Sequence, residues 1–377
     1  MLKPAISADS HIVEPPNCYV DFIDPKYRDR APHIEKNKHG VDTFIIEGMK
    51  HGLPLGLLAG AGIPPDQLRA QRNASFVDLA RASWDPKARV AIQDEEDICG
   101  EIIYASVGMV MCSHPDFDYK SACFQAYNRW LQGFCGELPH RLFGLAQTAV
   151  SSVDSAIADF KRAKEMGMVG MMMTGNPQHE DYDHPDYDAL WECAVDLDLP
   201  ICFHILTSSD HGVETAFKAE RGHAANGFMN IIRGVQNVMG VFLFGGVFER
   251  HPKLKMVVAE GDAGWVPHYM YRADHAAERL GTGLERFISK KPSTYVANNI
   301  WFTFQDDATA YQTEVLVGDK ALADSGHLIW ASDYPHTDST YPRSRQVRET
   351  QMAKLNEKQK NAISHDNVRN LFNLPVQ

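Results

Sequence analysis

Five polar side chains stand at the ends of short apolar runs, and their types are those that bind metal ions. Asp9 and His11 follow the first run, His204 ends ICFH, Glu260 ends KMVVAE and Asp333 ends LIWASD. Imidazole and carboxylate together suit Zn²⁺, Mn²⁺ or Fe²⁺ and leave coordination positions for water and substrate. A metal in such a site lowers the pKa of its bound water towards neutrality and polarises a substrate oxygen.

Each of these residues also has an ordinary structural explanation. A single histidine at the end of a strand is often a hydrogen-bonded structural residue. An aspartate after a strand is usually a helix cap or a turn former. Five such residues, all at the same end of their strands, are difficult to attribute to capping, and we therefore predict a metal site.

The elements that would position these side chains alternate along the chain. Short apolar runs are separated by amphipathic helical stretches, which is the pattern of a parallel sheet with crossover helices. Eight strands with helices between most of them predict a closed (β/α)8 TIM barrel, whose active sites form at the carboxyl ends of the strands. The predicted strands are 4–8, 101–105, 142–149, 169–173, 201–204, 255–260, 300–304 and 328–332. The predicted helices are 119–138, 153–166, 187–197, 225–238, 264–280, 308–317, 343–354 and 357–371.

One segment does not follow this alternation. Residues 18–99 are rich in proline, glycine and charge, with one convincing strand near 42–47. A barrel can carry such an insertion after its first strand, over the face where sites form. We expect a single domain over 1–377, with the 18–99 insertion acting as a lid or a subunit interface.

Composition narrows the class of protein. The chain of 377 residues has 49 acidic and 37 basic side chains, a formal net charge of −12, and 17 histidines. The acidic balance argues against nucleic-acid binding, which needs a basic face. No stretch approaches the roughly 20 apolar residues of a membrane helix. The opening MLKPAISADSHIVEPP has no signal pattern, and the seven cysteines are scattered without a CxxC, so we expect a cytoplasmic protein with reduced thiols.

Several longer motifs resemble a known family. These are ADSHIVEP, AYNRWLQGFCGELPHRLFGLAQ, FERHPKLKMVVAEGDAGWVPHYMYRAD, WASDYPHTDSTYP and ISHDNVRNLFNL. Together they resemble the amidohydrolase superfamily, and within it the branch of aminocarboxymuconate-semialdehyde decarboxylase and γ-resorcylate decarboxylase. The resemblance spans essentially the whole chain and is weakest over 18–99.

The resemblance implies a TIM barrel with one divalent metal, Zn²⁺ or alternatively Mn²⁺. Carried over residue by residue, the metal ligands are Asp9, His11, His204 and Asp333. It also implies a homodimer or a larger homo-oligomer. The chain departs from the family at its first ligand, where Asp9 replaces the usual His or Glu. It departs again after the sixth barrel strand, where Glu260 replaces a histidine that acts in proton transfer.

Because Glu260 stands where the family has its proton-transferring histidine, more than one residue is a candidate for the acid or base. Glu260 is interpreted as a base, a metal ligand or a structural partner of the histidines, and Asp333 as a proton acceptor. His336 lies three residues after Asp333, on the correct loop, and ranks above His251, which precedes its strand. The catalytic candidates are therefore Asp333, Glu260 and His336.

Three residues are candidates for binding substrate. Arg272 matches an arginine that, in the family's decarboxylases, reaches the substrate carboxylate of the neighbouring subunit, and guanidinium suits that task. An exposed arginine paired with Asp274 or Glu278 is an equally good interpretation. His211 and His223 follow the fifth barrel strand in a glycine-punctuated segment that could line the pocket.

Taken together, we expect a metal-dependent enzyme that acts on a small carboxylic acid. The preferred reaction is non-oxidative decarboxylation of an aromatic or unsaturated carboxylic acid. The alternative is hydrolysis of a carbonyl, lactone or amide through metal-bound hydroxide. A second alternative is a non-catalytic ligand-binding barrel, which missing metal ligands would favour.

Overall fold

Eight parallel strands form the centre of the molecule. The computed structural model describes residues 2–208, 222–311, 316–317 and 320–376. All eight predicted strands are present, and the first extends further than predicted, through Asp9 to His11. The strands, in chain order, are β1 (Ala5–His11), β2 (His33–Lys36), β3 (Asp42–Ile45), β4 (Leu53–Pro54), β5 (Ile98–Tyr104), β6 (Leu142–Thr148), β7 (Gly170–Met173), β8 (Ile201–His204), β9 (Met256–Ala259), β10 (Ile300–Phe304), β11 (Leu316–Val317), β12 (Lys320–Ala321) and β13 (Leu328–Trp330).

The barrel strands follow one another in the order β1-β5-β6-β7-β8-β9-β10-β13, and every pair is parallel. Most of their residues are buried, because helices cover the outer face while the side chains of the other face fill the barrel. The (β/α)8 TIM barrel predicted from the alternation is therefore confirmed, with eight strands in a nearly closed ring.

The ring closes between β1 and the residues that follow β13. The amide of His11 donates to the carbonyl of Tyr334 at 2.7 Å, and the amide of Asp333 donates to the carbonyl of Asp9 at 3.0 Å. Three buried hydroxyls lie beside this seam, with Oγ atoms 2.9 to 3.1 Å apart: Ser7, Ser10 and Ser332. The closure sets the relative positions of the residues predicted to bind metal on the first and last barrel strands.

Helices connect most of the barrel strands. Side chains cap several of them, as Asp116 does for the 20-residue helix that follows β5. The helices are α1 (Leu68–Gln71), α2 (Pro86–Glu95), α3 (Val107–Met111), α4 (Phe117–Gly136), α5 (Val153–Glu165), α6 (Asp188–Asp196), α7 (Ala224–Phe228), α8 (Arg233–Phe244), α9 (Val247–Arg250), α10 (Val266–Leu280), α11 (Pro292–Asn299), α12 (Ser344–Gln351), α13 (Glu357–Asn361) and α14 (Asn367–Leu371).

Two helix predictions need correction. The predicted helix 225–238 is divided into α7 and α8 by a turn. The predicted helix 308–317 is wrong, because its described residues form turns and then β11, which pairs with β12 in a short antiparallel hairpin. A helical spacing of apolar residues did not distinguish these alternatives, because tertiary contacts override a short local pattern.

The segment 18–99 carries its own small sheet. β2, β3 and β4 form a three-stranded antiparallel sheet, and α2 leads back into the barrel. Buried Arg89 of α2 connects this segment to the barrel, since it pairs with Glu101 of β5 at 3.0 Å and donates to the carbonyl of His11. The segment is thus joined to β1, which carries two of the predicted ligands, and to its neighbour β5. Its role as lid or interface stays a prediction.

Two further expectations concern the chain as a whole. None of the helices in the described part of the chain is long and apolar enough to cross a membrane. All seven cysteines are free.

Candidate metal centre

The residues predicted to bind metal converge at the carboxyl ends of the barrel strands. Asp9 and His11 lie at the end of β1, and His204 is the last residue of β8. Glu260 follows β9 directly, and Asp333 follows β13 after two residues. Because the strands are parallel, their carboxyl ends meet at one mouth of the barrel.

The five side chains form one connected cluster around the two histidines. His11 Nε2 lies 3.1 Å from His204 Nε2, and Asp9 lies 3.4 Å from the first and 3.5 Å from the second of these nitrogens. Glu260 Oε2 lies 3.0 Å from His204 Nε2, and Asp333 Oδ1 lies 3.7 Å from His11 Nε2. We call this set, Asp9, His11, His204, Glu260 and Asp333, the ligand cage.

Both histidines of the cage direct a lone pair inward. His11 Nδ1 is 3.1 Å from the carbonyl of Ala105, and His204 Nδ1 is 3.0 Å from the carbonyl of Ile205. A carbonyl only accepts, so each Nδ1 carries the ring proton and each Nε2 is free to bind a cation. Metal-binding histidines are commonly oriented in this way by a hydrogen bond from the other nitrogen.

The carboxylates of the cage fit a divalent cation. Asp9 Oδ1 and both carboxylate oxygens of Asp333 are buried without a hydrogen-bond partner among the described residues. Two groups of donor atoms lie within 4.8 Å of one another: Asp9, His11 and His204, and His11, Glu260, Asp333 and His336. Buried unpaired charges are costly, and a cation at the centre removes that cost.

The pKa values of the cage residues show that burial without a cation disfavours their charged forms. Burial raises the pKa of Asp9 and of Asp333 well above the usual value of an aspartate. Burial lowers the pKa of His11, because its charged form would lose hydration. Burial also opposes charge on His204, but the charges of Asp9 and Glu260 outweigh it and raise the pKa to about 9. A bound divalent cation would favour the ionised carboxylates and the neutral imidazoles.

Two of the residues that supply cage carboxylates have a positive φ angle. Glu260 has φ of 52° and Asp333 has φ of 56°, which is the left-handed region that favours glycine. Such conformations cost free energy and concentrate at functional sites. The turn after each strand directs its carboxylate into the cage, and the Glu260 amide is held by Thr303 Oγ1 at 2.7 Å.

His336 lies against the cage. Its ring stacks on His11 with centroids 4.0 Å apart and planes 28° from parallel. Its Nδ1 is 3.2 Å from Asp333 Oδ1, and its Nε2 is 3.0 Å from the hydroxyl of Ser106. Burial lowers the pKa of His336, which favours the neutral ring. The structure thus brings together all six residues predicted as ligands or catalysts.

The three residues predicted to bind substrate are not part of this cluster. Arg272 is exposed on α10. Neither alternative partner holds it in the described part of the chain, since Asp274 accepts from Ser293 and Glu278 contacts Lys291.

The other two residues predicted to bind substrate are His223 and His211. His223 is exposed and caps α7 through the amide of Ala225, whereas His211 lies outside the described residues. His251 lies before β9 with Nε2 2.9 Å from Asp188 Oδ1, and takes no part in the cage.

Three residues near the cage were not predicted from the sequence. Thr303 contacts Asp9 as well as Glu260, with its hydroxyl 3.4 Å from Asp9 Oδ2. Ser106 follows β5, and this position after a strand could have indicated that it lies at the barrel mouth. Glu14 lies within the motif ADSHIVEP, which could have drawn attention to it.

Glu14 supplies a pH-dependence that can be measured. Burial raises its pKa from 4.5 to about 7. The folded protein therefore binds an extra proton between these values, and the stability contributed by Glu14 is lost as the pH rises through 7. Relative to Glu14→Gln, the wild type should lose about 3 kcal/mol of unfolding free energy between pH 4.5 and 8. Urea unfolding of both metal-free proteins across this range measures the difference, and parallel pH profiles would contradict the prediction.

Comparison with known proteins places this architecture in a family. Residues 113–374 match the amidohydrolase family. The chain is 25% identical over 204 residues to the decarboxylase orsB of Emericella nidulans, covering 52% of this chain and 59% of that protein. The chain thus spans little more than half the length of that curated relative.

Two solved structures share the fold. The amidohydrolase map2389c from Mycobacterium avium subsp. paratuberculosis K-10 has a TM-score of 0.79 at 19% identity, covering 99% of this chain and 100% of that one. A dihydroxybenzoic acid decarboxylase from Polaromonas sp. JS666, with bound manganese and the inhibitor 2-nitroresorcinol, has a TM-score of 0.67 at 18% identity, covering 100% and 98%. At this identity the structural likeness concerns the fold. On the match over 113–374, the chain belongs to the amidohydrolase family.

Proposed function

We propose that this protein is a metal-dependent decarboxylase of an aromatic or unsaturated carboxylic acid. The observation that carries the proposal is a buried cage of two imidazoles and three carboxylates with a further histidine, His336, against it. The family match and the decarboxylases among the similar proteins support the same reaction.

Asp9, His11, His204 and Asp333 would hold the ion, with Glu260 as an additional oxygen donor. When bound, a divalent ion supplies a Lewis acid that takes up negative charge developing on substrate oxygen. The donor set accepts Zn²⁺ or Mn²⁺, and its three carboxylates favour Mn²⁺, the metal in the related Polaromonas structure. Metal analysis of the purified protein, with reconstitution by each ion, tests this choice.

The reaction requires a proton at the carbon that loses CO₂. His336 is the neutral, partly buried histidine that lies against the cage, and its Nδ1 faces Asp333 Oδ1 at 3.2 Å. A general acid in that position contributes about 10²- to 10⁴-fold to a rate. Glu260 occupies the position of the family's proton-transferring histidine, but its contact with His204 Nε2 at 3.0 Å suits a ligand. We therefore assign proton delivery to His336.

The substrate would be a small carboxylic acid. Arg272 is exposed in the single chain, so contact with substrate would require a second copy. We propose a homodimer or larger homo-oligomer on this basis, with His211 and His223 as further substrate contacts. The single domain over 1–377, the lid or interface role of 18–99 and a cytoplasmic location remain part of the proposal.

Turnover of a panel of hydroxybenzoic acids and their esters in H₂¹⁸O tests the reaction. Decarboxylation releases CO₂ and leaves no ¹⁸O in the remaining product, whereas hydrolysis places ¹⁸O in the product. Incorporated label would replace the proposal by hydrolysis, for which the same cage is suited. A metal-loaded protein that binds these acids and turns over none would favour the ligand-binding barrel.

A further inference from the structure

The hydroxyl of Ser106 and the ring of His336 form a hydrogen-bonded pair beside the ligand cage. Ser106 Oγ is 3.0 Å from His336 Nε2, and Ser106 is fully buried. Among the residues that the structure describes, this nitrogen is the only hydrogen-bond partner recorded for the hydroxyl. The direction of this one bond therefore determines where the ring proton of His336 lies.

A neutral imidazole has one N–H and one lone pair, and a hydroxyl has one proton that needs an acceptor. If Ser106 donates to Nε2, both needs are met and the ring proton of His336 lies on Nδ1. If Nε2 instead carried the proton, the hydroxyl proton of Ser106 would be buried without an acceptor, at a cost of about 1–3 kcal/mol. The first arrangement is thus favoured.

We propose that Ser106 is a positioning residue that holds His336 as its Nδ1–H tautomer. In that tautomer the ring proton faces the ligand cage, since Nδ1 is 3.2 Å from Asp333 Oδ1. A proton held there is directed at the place where the substrate would bind. The catalytic consequence rests on the proposed function, whereas the tautomer itself does not.

Glu14 holds Ser106 in place. One carboxylate oxygen, Oε1, accepts from the amides of Ser106, Val107 and Gly108 at 3.0, 2.8 and 3.3 Å. Gly108 packs closely against Gln147, since a Cβ there would lie 1.9 Å from Gln147 Oε1. The start of α3 is therefore anchored by the segment that follows β1, which fixes the backbone of Ser106.

The competing arrangement makes His336 a metal ligand. Its Nδ1 belongs with His11, Glu260 and Asp333 to a group of donors within 4.8 Å. Coordination through Nδ1 requires the proton on Nε2 and reverses the bond to Ser106. The two roles of His336 thus predict opposite tautomers, which can be measured directly.

Nitrogen NMR of the full-length protein labelled with [¹⁵N]histidine and loaded with diamagnetic Zn²⁺ provides the measurement. His336→Gln identifies the His336 resonances. We expect a protonated Nδ1 in the wild type and in Ser106→Thr, and a mixture of tautomers in Ser106→Ala. Ser113→Ala, a serine just beyond α3, is the matched control and should resemble the wild type. A wild type with its proton on Nε2, or a Ser106→Ala spectrum identical to the wild type, would overturn the proposal.

Kinetics on an acid that the wild type decarboxylates give an independent measurement. Ser106→Ala should lower kcat by about 10- to 100-fold and change KM by less than about threefold, because it misdirects a proton without removing a substrate contact. Ser106→Thr should recover most of kcat. An unchanged kcat in Ser106→Ala would contradict the catalytic part. A wild type without decarboxylase activity would contradict the proposed function and leave the tautomer to be decided by NMR.

Discussion

Replacing Asp333 by asparagine is expected to weaken Mn²⁺ binding by about 100-fold or more. Both oxygens of Asp333 are fully buried, and the neutral ring of His336, with Nδ1 3.2 Å from Oδ1, does not balance their charge, so a cation is needed to balance it. Removing one partner of a buried charge pair costs about 3–5 kcal/mol. Isothermal titration of the metal-free protein with Mn²⁺ measures the affinity, and decarboxylation should fall by about 10³-fold at a fixed metal concentration.

Asp338→Asn is the matched control for this substitution. Asp338 lies on the same loop, is exposed, and belongs to neither group of donor atoms. Its charge acts on Asp333 through space without contributing a donor atom, so Asp338→Asn should lower Mn²⁺ affinity by no more than about fivefold, well short of the loss at Asp333. If Asp333→Asn bound Mn²⁺ as tightly as this control, Asp333 would not be a ligand and the proposed cage would be incorrect.

Replacing His336 by glutamine is expected to lower kcat by about 10²- to 10⁴-fold while metal affinity stays within about threefold. Glutamine is close to histidine in size but cannot supply a proton at neutral pH, and general acid catalysis contributes on this scale. The ligand cage keeps all five of its side chains, so the ion should still bind. Initial rates over a range of substrate concentrations, together with Mn²⁺ titration, separate the two effects.

His39→Gln provides the control, since His39 is exposed in the 18–99 segment. It should match the wild type in both kcat and metal affinity. A loss of Mn²⁺ affinity in His336→Gln would identify His336 as a ligand and move proton transfer to Glu260. An unchanged kcat with metal bound would exclude His336 from the chemistry.

The charge of the cage explains why a metal is central to the proposal. Asp9, Glu260 and Asp333 place three carboxylates around two imidazoles at the barrel mouth. Without a cation, burial raises the pKa of both aspartates. A divalent ion would offset most of the negative charge of the three carboxylates. An anionic substrate could then bind at the site, although the protein as a whole carries a net charge of −12.

Much of the cage was evident from the sequence. Alternating strands and helices predict a parallel barrel, and all parallel strands end at the same mouth. Polar residues that end or follow those strands, such as His204 and Glu260, must therefore lie near one another, whatever the details of the loops. The prediction of a helix over 308–317 was wrong because a short spacing of apolar residues cannot distinguish a helix from the hairpin of β11 and β12.

The arrangement of His336, Ser106 and Glu14 was decided only by the tertiary structure. These residues come from three separate segments, and their hydrogen bonds span up to 230 positions in the chain. No local pattern specifies such a contact, because it depends on how β1, α3 and the loop after β13 pack together. The sequence alone therefore determined that the five residues of the ligand cage meet at the barrel mouth, through the common direction of the strands. Tertiary packing decided which nitrogen of His336 faces the cage, because orientation depends on the partners that folding supplies.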